Sequence, residues 1–363
     1  GLCVPAGFGK EVHKMGWEEK VRRVVPYIPG EQPKQKGIIK LNTNECPYPP
    51  SPLVKRKAAE FRTDELRLYP DPDASLLVKS LADYYGVKED QIFVGVGSDD
   101  VLAMSFLTFF NSDRPVLFPD ITYSFYDVWA ELFQIPYRCP ALDEDFRLKK
   151  EDYLSENGGI VIPNPNAPTG LYEELDTIEE IVASNPDSVV IIDEAYVDFG
   201  GRSALELVDK YENLLVVQTF SKSRAMAGIR IGFAAGSSKL ICYLKDVKFS
   251  FNSYTMNAPS IAWGAASILD DGYFKETVGK IINTRERVKK ELSALGFVFP
   301  DSSSNFIFAS HKSIPASELF EALKQEGIYV RHFNKPRIDN YLRITIGTDE
   351  QMDELLTFLK RYI

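Results

Sequence analysis

At 363 residues the chain is long enough for two domains sharing an interface, and 44% hydrophobic with 26% charged residues is an ordinary core-forming composition. Acidic residues outnumber basic ones by 52 to 42, for a formal charge of −10. That argues against a phosphate-backbone binder and against nucleic acid as a partner, while leaving room for a local basic pocket.

The first fifteen residues, "GLCVPAGFGKEVHKM", have no basic leading region and only a short apolar piece, so a signal peptide is not expected. Met15 reads as the natural start and Gly1 as a cloning remnant. No stretch has the apolar length of a membrane span, so no membrane association is expected. Four cysteines (Cys3, Cys46, Cys139, Cys242) and three histidines (His13, His311, His332) lack metal-type or redox-type spacing. No metal is therefore expected, and the reducing cytoplasm is the expected location. The Pro-rich "NECPYPPSP" (44–52) marks a turn, and residues 1–44 are expected to form an arm joining the smaller domain.

From 75 to 265 short apolar runs alternate with amphipathic stretches. The runs "QIFVGV" (91–96), "PVLF" (115–118), "GIVIP" (159–163), "SVVIID" (188–193) and "NLLVVQ" (213–218) are continuous in their apolar core. Such runs predict strands buried on both faces of a largely parallel sheet. "SDDVLAMSFLTFF" (98–110) predicts a helix opened by Ser98 and two acidic residues, and "LDTIEEIVASN" (175–185) a crossover helix. Residues 45–265 thus read as an α/β domain. After 266 one long charged helix, "YFKETVGKIINTRERVKKELSALG" (273–296), precedes alternating strands and helices, "SNFIFAS", "ASELFEALKQEG", "IYVRHF" and "YLRITIG". These predict a smaller α+β domain over 266–363.

Ligands of open α/β sheets collect beyond the carboxyl ends of the strands. "GSDD" (97–100) follows the first strand, and its backbone N–H groups at a helix start suit a phosphate. Alone it is an ordinary serine cap. "PDITYSFY" (119–126) supplies aromatics for a core or for stacking on a flat ring, and "NPNAPTG" (164–170) holds the Asn166 amide on a rigid turn. Asp193 of "DEAY" (193–196) leaves the sheet as a carboxylate in need of a cation, such as a protonated ring nitrogen; read singly, it is a helix cap. "TFSKSRAMAGIRIG" (219–232) presents Lys222 and Arg230 directly after a buried strand. Five such features at one sheet edge describe a pocket for a phosphorylated aromatic cation bearing an aldehyde. Lys222 is the amine placed to react with it, while Arg230 and Ser221 or Thr219 close on the phosphate.

Beyond these features, the chain resembles the fold-type I pyridoxal-5′-phosphate (PLP) enzymes, and more narrowly it resembles the histidinol-phosphate aminotransferase family, in class II of the aminotransferases. The resemblance runs from about residue 15 to the C-terminus. It rests on "LNTNECPY", "LYPDP", "GSDD", "NPNAPTG", "DEAYVDF", "TFSKSRAMAGIRIG", "SNFIF" and "YLRITIG". It implies a large domain with a mostly parallel seven-stranded sheet flanked by helices, and a smaller α+β domain. It also implies that Lys222 binds PLP covalently and shuttles the proton between Cα and C4′. Asp193 would pair with the pyridine N–H⁺, Tyr196 and Asn166 with the phenolic oxygen, and Tyr123 would stack on the ring. Gly97, Ser98 and Asp99, with Thr219, Ser221 and Arg230, would hold the phosphate. Tyr69 would reach the neighbouring subunit's phosphate, giving a homodimer with a shared active site. Arg343 would grip the α-carboxylate of glutamate with Asn44 nearby, and Arg331 the phosphate of histidinol phosphate.

Cys46 and Pro49 stand where such enzymes usually have Asn and Gly, and Arg224 and Ala225 where they have an aromatic and Gly; these departures are expected to bear on substrate selection. The implied reaction moves an amino group between glutamate and histidinol phosphate, in histidine biosynthesis. A threonine-phosphate-decarboxylase-like lyase and an aromatic-amino-acid aminotransferase are the alternatives. A non-enzymatic regulator is disfavoured by the retained Lys222, Asp193 and Tyr196.

Overall fold

The computed structural model describes residues 16–28, 30–35 and 37–363, and the readings of Cys3, His13, Met15 and the signal-like start lie outside the described residues. The arm contributes β1 (Ile39–Lys40), after which α1 (Pro52–Ala59) and α2 (Ser75–Tyr85) lead into the main sheet. Ser51 caps α1 by accepting from the Val54 N–H, and Pro52 takes a first-turn position where its missing N–H costs nothing.

The main sheet is built from β2 (Ile92–Gly95), β3 (Val116–Leu117), β4 (Tyr137–Arg138), β5 (Gly159–Pro163), β6 (Val190–Asp193), β7 (Leu214–Thr219) and β8 (Gly232–Gly236). Its order is β2-β8-β7-β6-β5-β3-β4. The pairs β3/β4, β3/β5, β5/β6 and β6/β7 are parallel, whereas β8 runs antiparallel to both β7 and β2. Side chains alternate between two cores. Ile160, Ile162, Val190, Ile192, Leu214 and Val216 pack on one face, and Val161, Ile191, Leu215 and Val217 on the other. Burial on both faces is why these strands read as continuous apolar runs.

The helices α3 (Ser98–Phe109), α4 (Tyr126–Phe133), α5 (Leu175–Ala183), α6 (Ser238–Phe251) and α7 (Ala258–Leu269) accompany this sheet. The predicted Ser98 cap on α3 is not made. Gly97, at φ +86°, takes the cap position, and Asp100 instead accepts the Val96 N–H at 2.9 Å. Then α8 (Asp271–Ala294) leads into β9 (Phe297–Val298), β10 (Phe306–His311), α9 (Ala316–Gln325), β11 (Ile328–Tyr329), β12 (Arg331–His332), β13 (Leu342–Thr345) and α10 (Asp349–Tyr362). A second sheet runs β12-β13-β10-β9, while β1 of the arm pairs in parallel with β11. These elements share a third core containing Ile39, Leu41, Ile281, Val288, Ile307 and Leu355.

Candidate active site

The parallel strands β5, β6 and β7 all point their carboxyl ends at one edge of the main sheet. Because β8 runs the other way, its beginning arrives at that same edge and brings Arg230 with it. Close approach there requires glycine. A Cβ on Gly232 would lie 2.3 Å from the Ser98 nitrogen, and one on Gly97 2.6 Å from Arg230 Nη2. The start of α3 is therefore pressed against β8 with its backbone N–H groups and the Arg230 guanidinium side by side, an anion cradle by construction.

A cleft of about 180 Å³ opens over this edge. Ser98, Asp99, Thr219, Ser221 and Arg230 line one part of it, and Asp193, Tyr196, Lys222, Tyr123 and Thr43 another. Lys222 Nζ donates to the Thr43 carbonyl at 3.1 Å and stands 5.8 Å from the centre of the Tyr196 ring. Tyr123 donates to Asp99 Oδ1 at 2.8 Å, and Arg230 Nη2 stands 3.5 Å from Asp99 Oδ2. The Asp99 carboxylate is thus engaged by its neighbours, leaving the Asp99 backbone, not its side chain, to face an anion. Thr219 and Ser221 share a hydroxyl hydrogen bond at 3.0 Å.

Asp193 is the electrostatic anomaly of the cleft. It is 5% exposed, it accepts from the Tyr126 hydroxyl at 2.6 Å and the Ala195 N–H at 3.3 Å, and among the described residues no cation lies within 4 Å of it. Burial pushes its carboxyl up to about 6, partly offset by the Tyr126 hydrogen bond. A carboxylate so placed awaits a positive charge. The Asn166 side-chain nitrogen donates to Ile121 O and to Thr169, while its buried oxygen has no partner among the described residues. Pro165 and Ala167 line the cleft on either side of Asn166.

Two arginines approach from the second sheet. Arg331 and Arg343 sit directly opposite each other in the antiparallel β12/β13 pair. Arg343 packs between Phe306 and Phe333, 5.4 and 5.7 Å from the ring centres, and spends one donor on Asn42 O. Its Nε is buried without a partner among the described residues, and desolvation, with Arg331 adding to it, pulls its pKa down. Arg331 lines an adjoining groove with Arg23, Tyr27 and Ile28 of the arm. Like charges directly opposite across a ladder destabilise it, so an anion between or beside the two guanidinium groups would relieve their repulsion.

Asn44, at φ +55°, ties these parts together. It donates to the Tyr196 hydroxyl at 2.9 Å, accepts from Thr345 at 2.9 Å, and its carbonyl accepts from Asn305 at 2.9 Å. Tyr69 does not line the cleft of its own chain; it is 82% exposed and packs at a tilt against Tyr254, ring centres 4.7 Å apart. Cys46, Pro49, Arg224 and Ala225 are absent from the cleft lining. Pro49 receives the Tyr273 hydroxyl, and Arg224 packs on Phe274 at 4.1 Å, both toward α8. Sequence reasoning missed Tyr126, the hydrogen-bond donor to Asp193, although it ends the aromatic stretch already singled out. Thr43 was missed as well; it acts through its carbonyl, which no side-chain pattern reports.

The sequence profile described as aminotransferase class I and II matches residues 36–359. The chain belongs to that family of enzymes. Among its relatives, histidinol-phosphate aminotransferase of Lactococcus lactis subsp. cremoris is 53% identical over 349 residues, covering 96% of this chain and 98% of the relative. The histidinol-phosphate aminotransferase of Brachyspira hyodysenteriae is 54% identical over 346 residues, covering 95% and 98%. The crystal structure of histidinol-phosphate aminotransferase from Sinorhizobium meliloti in complex with pyridoxal-5′-phosphate superposes with a TM-score of 0.82 at 22% identity, covering 90% of this chain and 92% of that one. At that identity the likeness speaks for the fold, and a fold-type I architecture is what the two sheets show.

Proposed function

We propose that the cleft binds pyridoxal 5′-phosphate and exchanges an amino group between glutamate and histidinol phosphate, with 2-oxoglutarate and imidazole-acetol phosphate as their keto partners, in histidine biosynthesis. The observation that carries the reading is Asp193, a buried carboxylate lining the same cleft as a lysine amine and an anion cradle, with no cation partner among the described residues. A phosphorylated pyridine aldehyde satisfies all three at once. Bound there, the cofactor supplies a ring that withdraws electrons from the substrate Cα.

The chain's residues divide the remaining work. Asp193 holds a proton on the ring nitrogen, and Tyr126 keeps that carboxylate oriented. Gly97, Ser98, Asp99, Thr219, Ser221 and Arg230 hold the phosphate, the first three through backbone groups. Tyr196, oriented by Asn44, and Asn166 hold the phenolic oxygen, and Tyr123 covers the ring. Lys222 attaches the cofactor and moves the proton at Cα. Arg343 takes the α-carboxylate of the amino donor and Arg331 the phosphate of histidinol phosphate, which accounts for two arginines facing one another with no counter-ion among the described residues. Tyr69, flanked by exposed Leu66 and Leu68, is read as reaching a partner subunit's cofactor in a homodimer. The free Cys46, Cys139 and Cys242 suit a reducing, cytoplasmic setting.

Half-reactions test the reading. The cofactor-loaded chain is mixed with glutamate, histidinol phosphate, phenylalanine or threonine phosphate while cofactor absorbance and CO₂ release are followed. Rapid conversion by the first two without CO₂ is the expected result. Conversion by phenylalanine alone, or CO₂ release from threonine phosphate, would replace the proposal by its two rivals. Borohydride reduction and peptide mapping should place the cofactor on Lys222; label on another lysine would refute the assignment.

A further inference from the structure

Behind the cleft lies a polar cluster that the reaction, as described, does not use. Ser223, next to Lys222, donates its hydroxyl to Asp198 Oδ2 at 2.5 Å, and Asp198 lies two residues beyond Tyr196. The turn carrying the lysine is thereby fastened to the turn carrying the tyrosine. Arg224, the next residue, is 7% exposed and faces away from the cleft. Its Nη1 donates to Ser267 O near the end of α7, and its guanidinium lies over Phe274 at 4.1 Å, Tyr84 at 5.2 Å and Phe220 at 5.5 Å. Phe274 stands in the first turn of α8, so Arg224 pegs the lysine turn to the junction of α7 and α8.

The turn needs such fastening. Ala225 is held at φ +57°, a left-handed conformation that is unfavourable for a residue with a Cβ and persists only where surrounding contacts impose it. The Met226 N–H closing back on Phe220 O at 3.0 Å defines the same tight loop. Among the described residues the Lys222 amine is anchored through one hydrogen bond, from Nζ to Thr43 O. Its long side chain would wander if its backbone did. Burial raises the Asp198 carboxyl, with the Ser223 hydroxyl and the Arg224 charge opposing that rise.

We propose that Ser223, Asp198 and Arg224 are positioning residues that lock the Lys222 turn to the Tyr196 turn and to the α7–α8 junction, fixing where the lysine amine stands. The inference rests on the reading of Lys222 as the reactive amine, and a failure of that reading would show independently, as full activity in Lys222→Ala.

The test is a double-mutant cycle with a hydroxyl rescue. Ser223→Ala, Asp198→Ala, their combination and Ser223→Thr are compared by three measurements: the single-turnover glutamate half-reaction, its substrate dependence, and the rate at which Lys222 of the full chain without added cofactor is labelled by a small aldehyde and cyanoborohydride. Expected are a tenfold or greater loss of the half-reaction rate in either alanine variant with KM within twofold, and a Lys222 labelling rate changed at least threefold. The double variant should be no worse than the poorer single one, and Ser223→Thr should restore at least a third of the parent rate. A rate loss below threefold, a labelling rate within twofold of the parent, losses that multiply in the double variant, or failure of the threonine rescue would each overturn the proposal. If either alanine variant does not fold, Arg224→Lys, which keeps the charge but not the planar stack, is put through the same labelling and KM-against-kcat measurements with the same thresholds.

Discussion

Replacing Asp193 by Asn is expected to stabilise the cofactor-free chain while weakening its hold on the cofactor. The folded carboxyl titrates near 6 and the ordinary value is 3.8, so between those pH values the folded chain keeps a proton that the unfolded chain has released. That contribution to stability is fully present below pH 4 and is lost as pH rises through 6. The interval, at 1.36 kcal/mol per unit, makes the buried charge cost about 3 kcal/mol at neutral pH. Asparagine keeps an oxygen for Tyr126 but forfeits the acceptor for the Ala195 N–H, a loss of about 1 kcal/mol. The net gain is about 2 kcal/mol. With an unfolding entropy of roughly 2.1 cal/mol/K per residue over the whole chain, this corresponds to a rise in melting temperature of roughly 3 °C. The assay is thermal unfolding of both proteins from pH 4 to 7.5, without cofactor and with saturating pyridoxal 5′-phosphate. Without cofactor the difference should grow from near zero at pH 4 to its full size above pH 6; with cofactor the order should reverse. A difference independent of pH, or an Asn variant less stable at pH 7.5, would refute the view that Asp193 is an unpaired charge waiting for a cation.

Removing the opposed arginines should separate the two substrates. Arg331→Ala is expected to lose roughly 2 kcal/mol of transition-state binding for histidinol phosphate, the low end of the range because the side chain is half-buried, and less for glutamate. Arg343→Ala should cost glutamate on the order of 3–5 kcal/mol; single-turnover k/K values in each variant decide, and equal losses at Arg331 would reduce it to a support of the cleft. Gly232→Ala puts a methyl against the Ser98 nitrogen, so cofactor affinity should fall at least tenfold in a fluorescence titration while the far-UV spectrum stays that of the parent. For Tyr69, inactive Lys222→Ala and Tyr69→Ala chains are mixed and refolded together; recovered activity supports a shared site, and none at any ratio removes Tyr69 from the partner's cofactor.

The parallel part of the main sheet was legible because burial on both faces leaves an unmistakable run of apolar residues in β5, β6 and β7. Its antiparallel member, β8, escaped because "GFAAG" is small rather than bulky, chosen for close approach to α3 instead of for packing volume. The two-residue edge strand β4 escaped too, since Tyr137 and Arg138 are exposed and carry no burial pattern. Charged and hydroxyl side chains that line the cleft announced themselves at strand ends. What stayed hidden were groups acting through backbone atoms, such as Thr43, and side chains whose partners are remote in sequence, such as Tyr126 beside Asp193. Arg224 stood out by type, but nothing in its neighbours told which way it pointed.

The Asn44 junction has a consequence for the timing of synthesis. Its partners are Tyr196, Asn305 and Thr345, the last of them 301 residues downstream. While the ribosome works at roughly 5–20 residues per second, the main sheet can assemble as soon as β8 has emerged, but the arm has nowhere to dock until β11 and β13 follow. The cleft is therefore finished only after the second sheet has been translated. A polypeptide released before Thr345 would keep the lysine, the aspartate and the glycine-lined start of α3, yet lack the Thr345 contacts that hold Asn44 against Tyr196.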